Sequence, residues 1–424
     1  VRWSRILAGV YLALLLLAVL WPQSLEPLAG GEGSLILSER WLADAVRNVV
    51  LFIPLGVALA FSGRSHRSGQ SRRRPRLWAA VAVGFTLSLG IEVAQLGIPG
   101  RTASPLDLLS NTLGAGAGFL LAGLRSSLGD TDPRRARRLS LSAAAVSGVA
   151  LIATSWLLAS SFPASAYYGG WTPELPGFAD YSASGGRVLE ARVGGTEIVS
   201  SGPDPNSAAL RRALVAGEPI VVRALAGPAP AILAPLVTIA DDLPRQILFL
   251  GIEGQDLVYG HRSRAAAWRL HDPWIVVPHA LRGVAPGETF SLRIERSPRA
   301  SQLRVGEDAI HSLEMRAARA WALFIPARAL PPVVRPWLDG AWLLLLLTPA
   351  SAWARRDPFA WAGVLALCAL LWGLPDFGPM GALAPGHRVV MVLAVVAPAL
   401  LGDTWARRRR GTAAAVPSIQ SGRA

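Results

Sequence analysis

Lysine is absent from this 424-residue chain, so all 42 basic side chains are arginine. There is one cysteine, Cys368, in an apolar run. A single thiol excludes an intrachain disulfide and any cysteine-built metal site. Charged residues are scarce, at 17% of the chain against the roughly 25% of an ordinary soluble domain. No Walker-type phosphate loop, HExxH zinc motif or GxSxG nucleophile elbow occurs. What is present is apolar: 52% hydrophobic residues and a mean hydropathy of +0.38, the composition of an integral membrane protein. The alanine, glycine and proline bias, with arginine standing for lysine, fits a high-GC genome.

The net charge of +14 invites a nucleic-acid reading. The arginines argue against it, because they cluster in short runs between apolar segments, where they set membrane topology. Five apolar segments precede residue 160, at about 6–21, 46–61, 77–98, 106–124 and 139–158. Each approaches the roughly 20 residues a spanning helix needs. The first follows Arg2 and Arg5 and lacks a clean small-x-small cleavage site after it, so it reads as a retained helix rather than a signal peptide. GRSHRSGQSRRRPR and RSSLGDTDPRRARR are arginine-rich, whereas 22–45 and 97–106 are arginine-poor. The positive-inside rule then puts the amino terminus, 62–76 and 125–138 in the cytoplasm, and 22–45 and 97–106 outside. Three further apolar segments, 337–353, 359–374 and 389–405, continue the alternation, with Arg355, Arg356 and Arg407–Arg410 inside. The expected architecture is multi-domain: an α-helical bundle of about eight transmembrane helices with both termini cytoplasmic, and a disordered tail at 411–424.

Residues 162–335 differ in character. No apolar run there reaches membrane length, and short alternating stretches appear between Gly, Asp and Pro. In TFSLRIER, Phe290, Leu292 and Ile294 alternate with Ser291, Arg293 and Glu295, the period of a strand with one buried face. RVLEARV, PIVVRALA, PLVTIAD, QILFLGIE and QDLVYGHR are further strand candidates. Many short strands without amphipathic helices predict an extracytoplasmic β-sandwich, inserted between the fifth and sixth helices.

The residues suited to chemistry lie around a short polar connection, in GFTLSLGIEVAQLGIPGRTASPLDLLSNTLGAGAG. At helical period, Gly84, Ser88, Glu92 and Gln95 form one stripe, and Asp107, Asn111, Gly114 and Gly118 another. Two antiparallel helices would bring Glu92 and Gln95 opposite Asp107 and Asn111, with Gly84 near Gly118 and the small residues permitting close backbone approach. Asn48 adds a polar group from the preceding segment, beside Arg47. Arg101 stands in the connection, suited to a carboxylate or a phosphate. Ionisable groups so near an apolar span are costly and therefore suspected of function. The same residues, Asn48, Glu92, Gln95, Arg101, Asp107 and Asn111, would equally serve to pin three helices together. Both readings stay open.

RNVVLFIPLGVALA, IEVAQL and GRTASPLDLLSNTLGAGAG together resemble the VanZ-like family of bacterial membrane proteins, over about residues 5–160. Its pattern is matched at Asn48, Phe52, Pro54, Gly56, Glu92, Gln95, Arg101, Asp107, Asn111 and Gly114. Ser104 departs from it, standing where many members carry an acidic residue. The family takes its name from a protein linked to teicoplanin resistance, so the resemblance implies an envelope protein involved in glycopeptide tolerance, and it implies no mechanism. PLVTIADDLPRQILFLGIEGQDLVYGHRSR is similar to a LamG or concanavalin A-like jelly roll, which implies an outer ligand-binding module, often for glycans.

The expectation is thus a VanZ-like protein of the bacterial cytoplasmic (inner) membrane. Its outer sandwich would bind an envelope glycan or a lipid-linked ligand. The alternative is a membrane enzyme acting on an envelope lipid or glycan, with Glu92 as acid/base, Arg101 holding a phosphate and Asp107 assisting. A transporter is disfavoured, because no pair of broken helices recurs in repeated halves. No cofactor, metal or nucleic acid is expected, and the oligomeric state is open. His261, His271, His279 and His311 have no metal-ligand spacing. Asp241, Asp242, Glu253 and Asp256 read as turn residues before a calcium site. Trp171, Trp268 and Trp274 are candidates for sugar stacking or for the core.

Overall fold

The computed structural model describes residues 9, 11, 40–62, 77–98, 104–127, 132–174, 182, 184–243, 245–272, 274–296, 301–306, 309–313, 315–327, 330–354, 357–377, 380–381 and 383–398. Three helices come first: α1 (Trp41–Ser62), α2 (Leu77–Gln95) and α3 (Pro105–Ser127). Glycine stripes decide how they pack. A Cβ added at Gly114 would lie 2.3 Å from the Val49 carbonyl oxygen, and one at Gly118 would lie 1.9 Å from that of Ile53. The two pairs advance together, so α1 and α3 run parallel. Backbones this close make Cα–H···O contacts that bulkier side chains would prevent. On its other side α3 meets α2 in antiparallel register, with Ala115 against Gly84 and Asn111 against Ser88. Gly84 and Gly118 therefore do not approach one another as expected. Gly118 is spent on Ile53 of α1, and Gly84 on Ala115. Most of the first expected segment, 6–21, lies outside the described residues, but Tyr11 packs with Phe52 and Ile91 and donates a hydrogen bond to the Leu51 carbonyl.

Helix α4 (Pro133–Leu158) is capped by Asp132, whose carboxylate accepts from the Arg135 N–H, with Pro133 at its first position. It leads into the β-rich region. There, β1 (Tyr167–Trp171), β4 (Ser201–Pro203), β6 (Ala234–Asp241), β7 (Gln246–Glu253), β8 (Asp256–His261) and β9 (Ile275–Val277) form one antiparallel sheet, in the order β4-β1-β6-β7-β8-β9. The second sheet runs β12-β11-β10-β5-β2-β3, from β2 (Arg187–Val193), β3 (Thr196–Glu197), β5 (Ile220–Leu225), β10 (Thr289–Arg296), β11 (Ser301–Val305) and β12 (Ala309–Ser312). One helix, α5 (Ser207–Ala216), intervenes between β4 and β5. Two six-stranded antiparallel sheets around one core are compatible with a jelly roll. β10 buries Phe290, Leu292 and Ile294 and exposes the residues between them, as the alternation requires. β7 is buried on both faces, because Leu233, Phe249 and Val258, joined by Trp274, make a small second core outside the sheet.

The chain then re-enters helices: a 3₁₀ strap (Ala317–Leu323), α6 (Arg335–Ala354), α7 (Trp361–Phe377) and the described helix at Pro385–Pro398. One apolar cluster joins α4, α6, α7, the last helix and the strap. Two buried hydroxyls on α4 act as rivets here: Ser140 donates to the Ala350 carbonyl and Ser147 to that of Leu346, both on α6.

The count of eight spanning helices is not supported. Among the described residues, three helices are long and apolar enough to cross a membrane: Trp41–Phe61, Leu77–Gln95 and Pro133–Leu158. The others fall short for physical reasons. α3 carries Asp107 and Ser110 and devotes Asn111, Gly114, Gly116 and Gly118 to contacts with its neighbours. α6 carries Asp339 and Pro349, and α7 and Pro385–Pro398 are short. Residues 399–405 and the tail at 411–424 lie outside the described residues.

Candidate functional site

The polar ends of α2 and α3 meet as a ladder. Deepest is Asn111, buried, whose Nδ2 donates to Ser88 Oγ at 2.9 Å. Its Oδ1 is buried with no hydrogen-bond partner among the described residues, an acceptor that costs stability while unmet. One turn up α2, the buried Glu92 carboxylate accepts from the Ser104 backbone N–H at 2.7 Å. Ser104 immediately precedes α3, and its carbonyl accepts from the Asp107 N–H at 3.0 Å. Glu92 thus ties the end of α2 to the start of α3. Asp107, half-buried, stands close enough for the two carboxylates to repel. Gln95 is buried at the end of α2. Asn48 is buried on α1, one residue before the Val49 carbonyl that meets Gly114. Arg47 pairs with Asp44 at 3.0 Å. Arg101 lies outside the described residues. The fold therefore brings Glu92, Gln95, Asp107 and Asn111 to one end of the α2–α3 pair, with Asn48 alongside on α1.

The arrangement can do two things. Its hydrogen bonds fasten α2 to α3. Its two carboxylates and its orphan acceptor would also offer acceptors to a donor-rich ligand.

Residues 9–126 match the VanZ/LLP1 family model. The VanZ-like region covers α1, α2 and nearly all of α3, and so every residue of the polar ladder. It spans little more than a quarter of the chain, and the sandwich and the later helices lie beyond it. No curated protein and no solved structure matches the chain.

A second polar hub escaped the sequence reading. Asp339, buried near the start of α6, accepts from Trp321 Nε1 at 2.7 Å and from an Arg319 guanidinium nitrogen at 3.3 Å, both on the strap. His387 Nε2 lies 3.3 Å from the same carboxylate. The hub locks the exit from the sandwich to two helices. A parallel bridge between β13 (Met315–Arg316) and β14 (Met380–Gly381) adds to it. The signal was there to read: Asp339 is the one charge in WLDGAWLLLLL, costly for the same reason as Glu92.

The remaining candidates separate. Asp241 accepts from the backbone N–H groups of Leu243 and Arg245 and pairs with the Arg245 guanidinium at 2.7 Å, so it fixes the β6–β7 turn. Asp256 accepts from the His279 N–H at the far end of β8. Among the described residues no group of three His, Cys, Asp or Glu is placed to hold a metal. Trp274 stacks on Phe249 at 4.8 Å, made possible by Gly260 beneath its ring. Trp171 packs against the sandwich core, and Trp268 alone of the three is largely exposed.

Proposed function

We propose that the protein is a VanZ-like, multi-pass component of the bacterial cytoplasmic membrane, whose sandwich faces outward and binds an envelope glycan or a related lipid-linked ligand. The observation that carries this reading is the hanging of a two-sheet domain between apolar helices, directly beside the end of the VanZ-like region. α4 delivers the chain to β1 and α6 takes it back. Ala43 of α1 donates to the Arg269 carbonyl of the sandwich. The alternation of arginine-rich loops supports cytoplasmic termini and an outer position for residues 162–335. Two experiments test the proposal. A reporter fused near residue 250 should be active only outside the membrane; cytoplasmic activity there sinks the orientation. The purified full chain should retain envelope glycans on an array, and a deletion strain should change its teicoplanin susceptibility. Retention of none, with unchanged susceptibility, removes the envelope-ligand reading.

The proximity of Glu92 and Asp107 favours a second reading: an enzyme acting on an envelope lipid or glycan, with Glu92 as acid/base and Asp107 assisting. Glu92→Gln and Asp107→Asn separate the two readings. Full phenotype from both variants, normally folded, eliminates catalysis by this pair.

A further inference from the structure

Exposed tryptophans stand at three helix ends around the exit and re-entry of the sandwich. Trp156, in the last turn of α4, is exposed, with the Arg264 guanidinium 5.1 Å from its ring centre. Trp337, in the first turn of α6, is 77% exposed. Near the end of α7, Trp372 is exposed, with the Arg388 guanidinium 4.8 Å from its ring centre. Tryptophan with arginine at helix ends is the signature of the headgroup layer.

The sandwich contributes to that level. Its 3₁₀ segment Arg264–Trp268 is tied at both ends to the helices. The Arg264 N–H donates to the Ala159 carbonyl just past α4, at 2.9 Å, and the Arg269 carbonyl accepts from Ala43, the third residue of α1. Ala265 and Leu270 are buried in the same cluster as Ala43 and Leu158. Trp268 therefore sits one residue, about 3.8 Å of chain, from a group bonded to a spanning helix. The interfacial layer is roughly 5–8 Å deep on each side. Trp268 is nevertheless 55% exposed, which leaves its ring to that layer. Arg269 follows it, exposed, with φ +58°, a left-handed conformation that glycine adopts more cheaply.

A second tip points the same way. β7 and β8 pair Leu248 with His261, and β1 and β6 pair Tyr167 with Asp241, so the β6–β7 turn lies at the end of the sandwich where the chain leaves α4. Leu243, in that turn, is 60% exposed. The opposite end, at the β7–β8 turn, carries Ile232 nearby, 54% exposed.

We propose that the sandwich rests on the outer leaflet, with Trp268 and Leu243 seated among lipid headgroups and Arg269 placed for their phosphates. The partner is the bilayer that the apolar helices cross. The ring supplies interfacial area, the guanidinium a phosphate contact, and the backbone ties fix their depth. A sandwich held in this way would keep its membrane-side edge beside the VanZ-like helices. The inference rests on the membrane reading above and is independent of which ligand is bound.

Spin labelling of the full chain in phosphatidylglycerol/phosphatidylcholine vesicles tests it. Single cysteines replace Trp268, Leu243, Ile232 and Leu89 in a Cys368→Ala background, and accessibility to oxygen is compared with that to a water-soluble nickel complex. Leu89, mid-way along α2 and exposed, should report hydrocarbon, and Ile232 should report water. Positions 268 and 243 should show oxygen-to-nickel ratios several-fold above that at 232. Aqueous values at 268 and 243, with hydrocarbon at 89, overturn the docking while leaving the membrane reading intact. An aqueous value at 89 removes both.

Discussion

Adding one methyl group at Gly118 should break the VanZ-like bundle. The Cβ of Gly118→Ala would lie 1.9 Å from the Ile53 carbonyl oxygen, 2.8 Å from its carbon and 3.0 Å from the Ile53 Cα. The obstruction is backbone, which has no rotamer in which to escape. Ordinary contact begins near 3.4 Å, so α1 and α3 must part by about 1.5 Å. Parting would also unseat Gly114 and Gly56, whose would-be Cβ atoms stand 2.3 Å from the Val49 carbonyl oxygen and 1.9 Å from that of Ala115. Overpacking of this kind costs about 1–3 kcal/mol. Breaking the Cα–H···O interactions between the two backbones costs about 0.5–1 kcal/mol more for each. Gly123→Ala, on the same helix with open space at its Cβ, is the matched control and should gain a few tenths to about 1 kcal/mol from helix propensity. Reversible unfolding of the full chain in mixed micelles, read by tryptophan fluorescence and circular dichroism, measures the difference. Equal stability of Gly118→Ala and Gly123→Ala would refute the parallel α1–α3 packing.

Trp321→Phe keeps the ring of the strap but removes the donor that reaches Asp339 at 2.7 Å. The destabilisation should be about 1.5–3 kcal/mol, as for hydrogen bonds to charged groups, with faster trypsin cleavage at Arg316 and Arg319. Cleavage at the wild-type rate would show the hub to be dispensable. Acidification should loosen the sandwich through two histidines. Burial, then Arg296, holds His261 down at about 4. Burial, then Arg40, holds His271 down at about 4, with Arg47 adding to the depression and Asp44 opposing it. Each is favoured neutral in the fold, so the unfolded chain binds more protons between about pH 6.5 and 4. Their contribution is fully present above about pH 6.5 and is lost as pH falls towards 4, at most about 3 kcal/mol per histidine. His271→Gln should flatten the pH dependence of unfolding over that window; an unchanged slope would show that His271 does not carry it.

That the polar stripes of α2 and α3 meet near their connection was legible, because a short connection reverses the chain; that Asn111 bonds Ser88 and Glu92 bonds the Ser104 N–H, in place of the expected Glu92 and Gln95 opposite Asp107 and Asn111, was not. The glycine partners were not legible, since a small residue declares that something comes close without saying what. Gly118 and Gly114 lie on the stripe that also bears Asn111, yet they serve α1, because α3 is wedged between two helices. The strand pattern of TFSLRIER was plain, while the double burial of QILFLGIE needed Trp274, brought from a distant loop to cover the outer side of its sheet.

By itself the sequence determined where the three membrane-length apolar helices lie, that strands fill the region between α4 and α6, and which polar residues crowd one helical connection. Those are local properties of period, composition and spacing. Tertiary structure alone decided that α1 and α3 touch along their glycines, that Asp339 gathers Trp321, Arg319 and His387, and that Trp268 stands exposed beside the helix ends. Each of these joins residues far apart in the chain, and which of them meet is fixed by how whole elements pack, which no local pattern encodes.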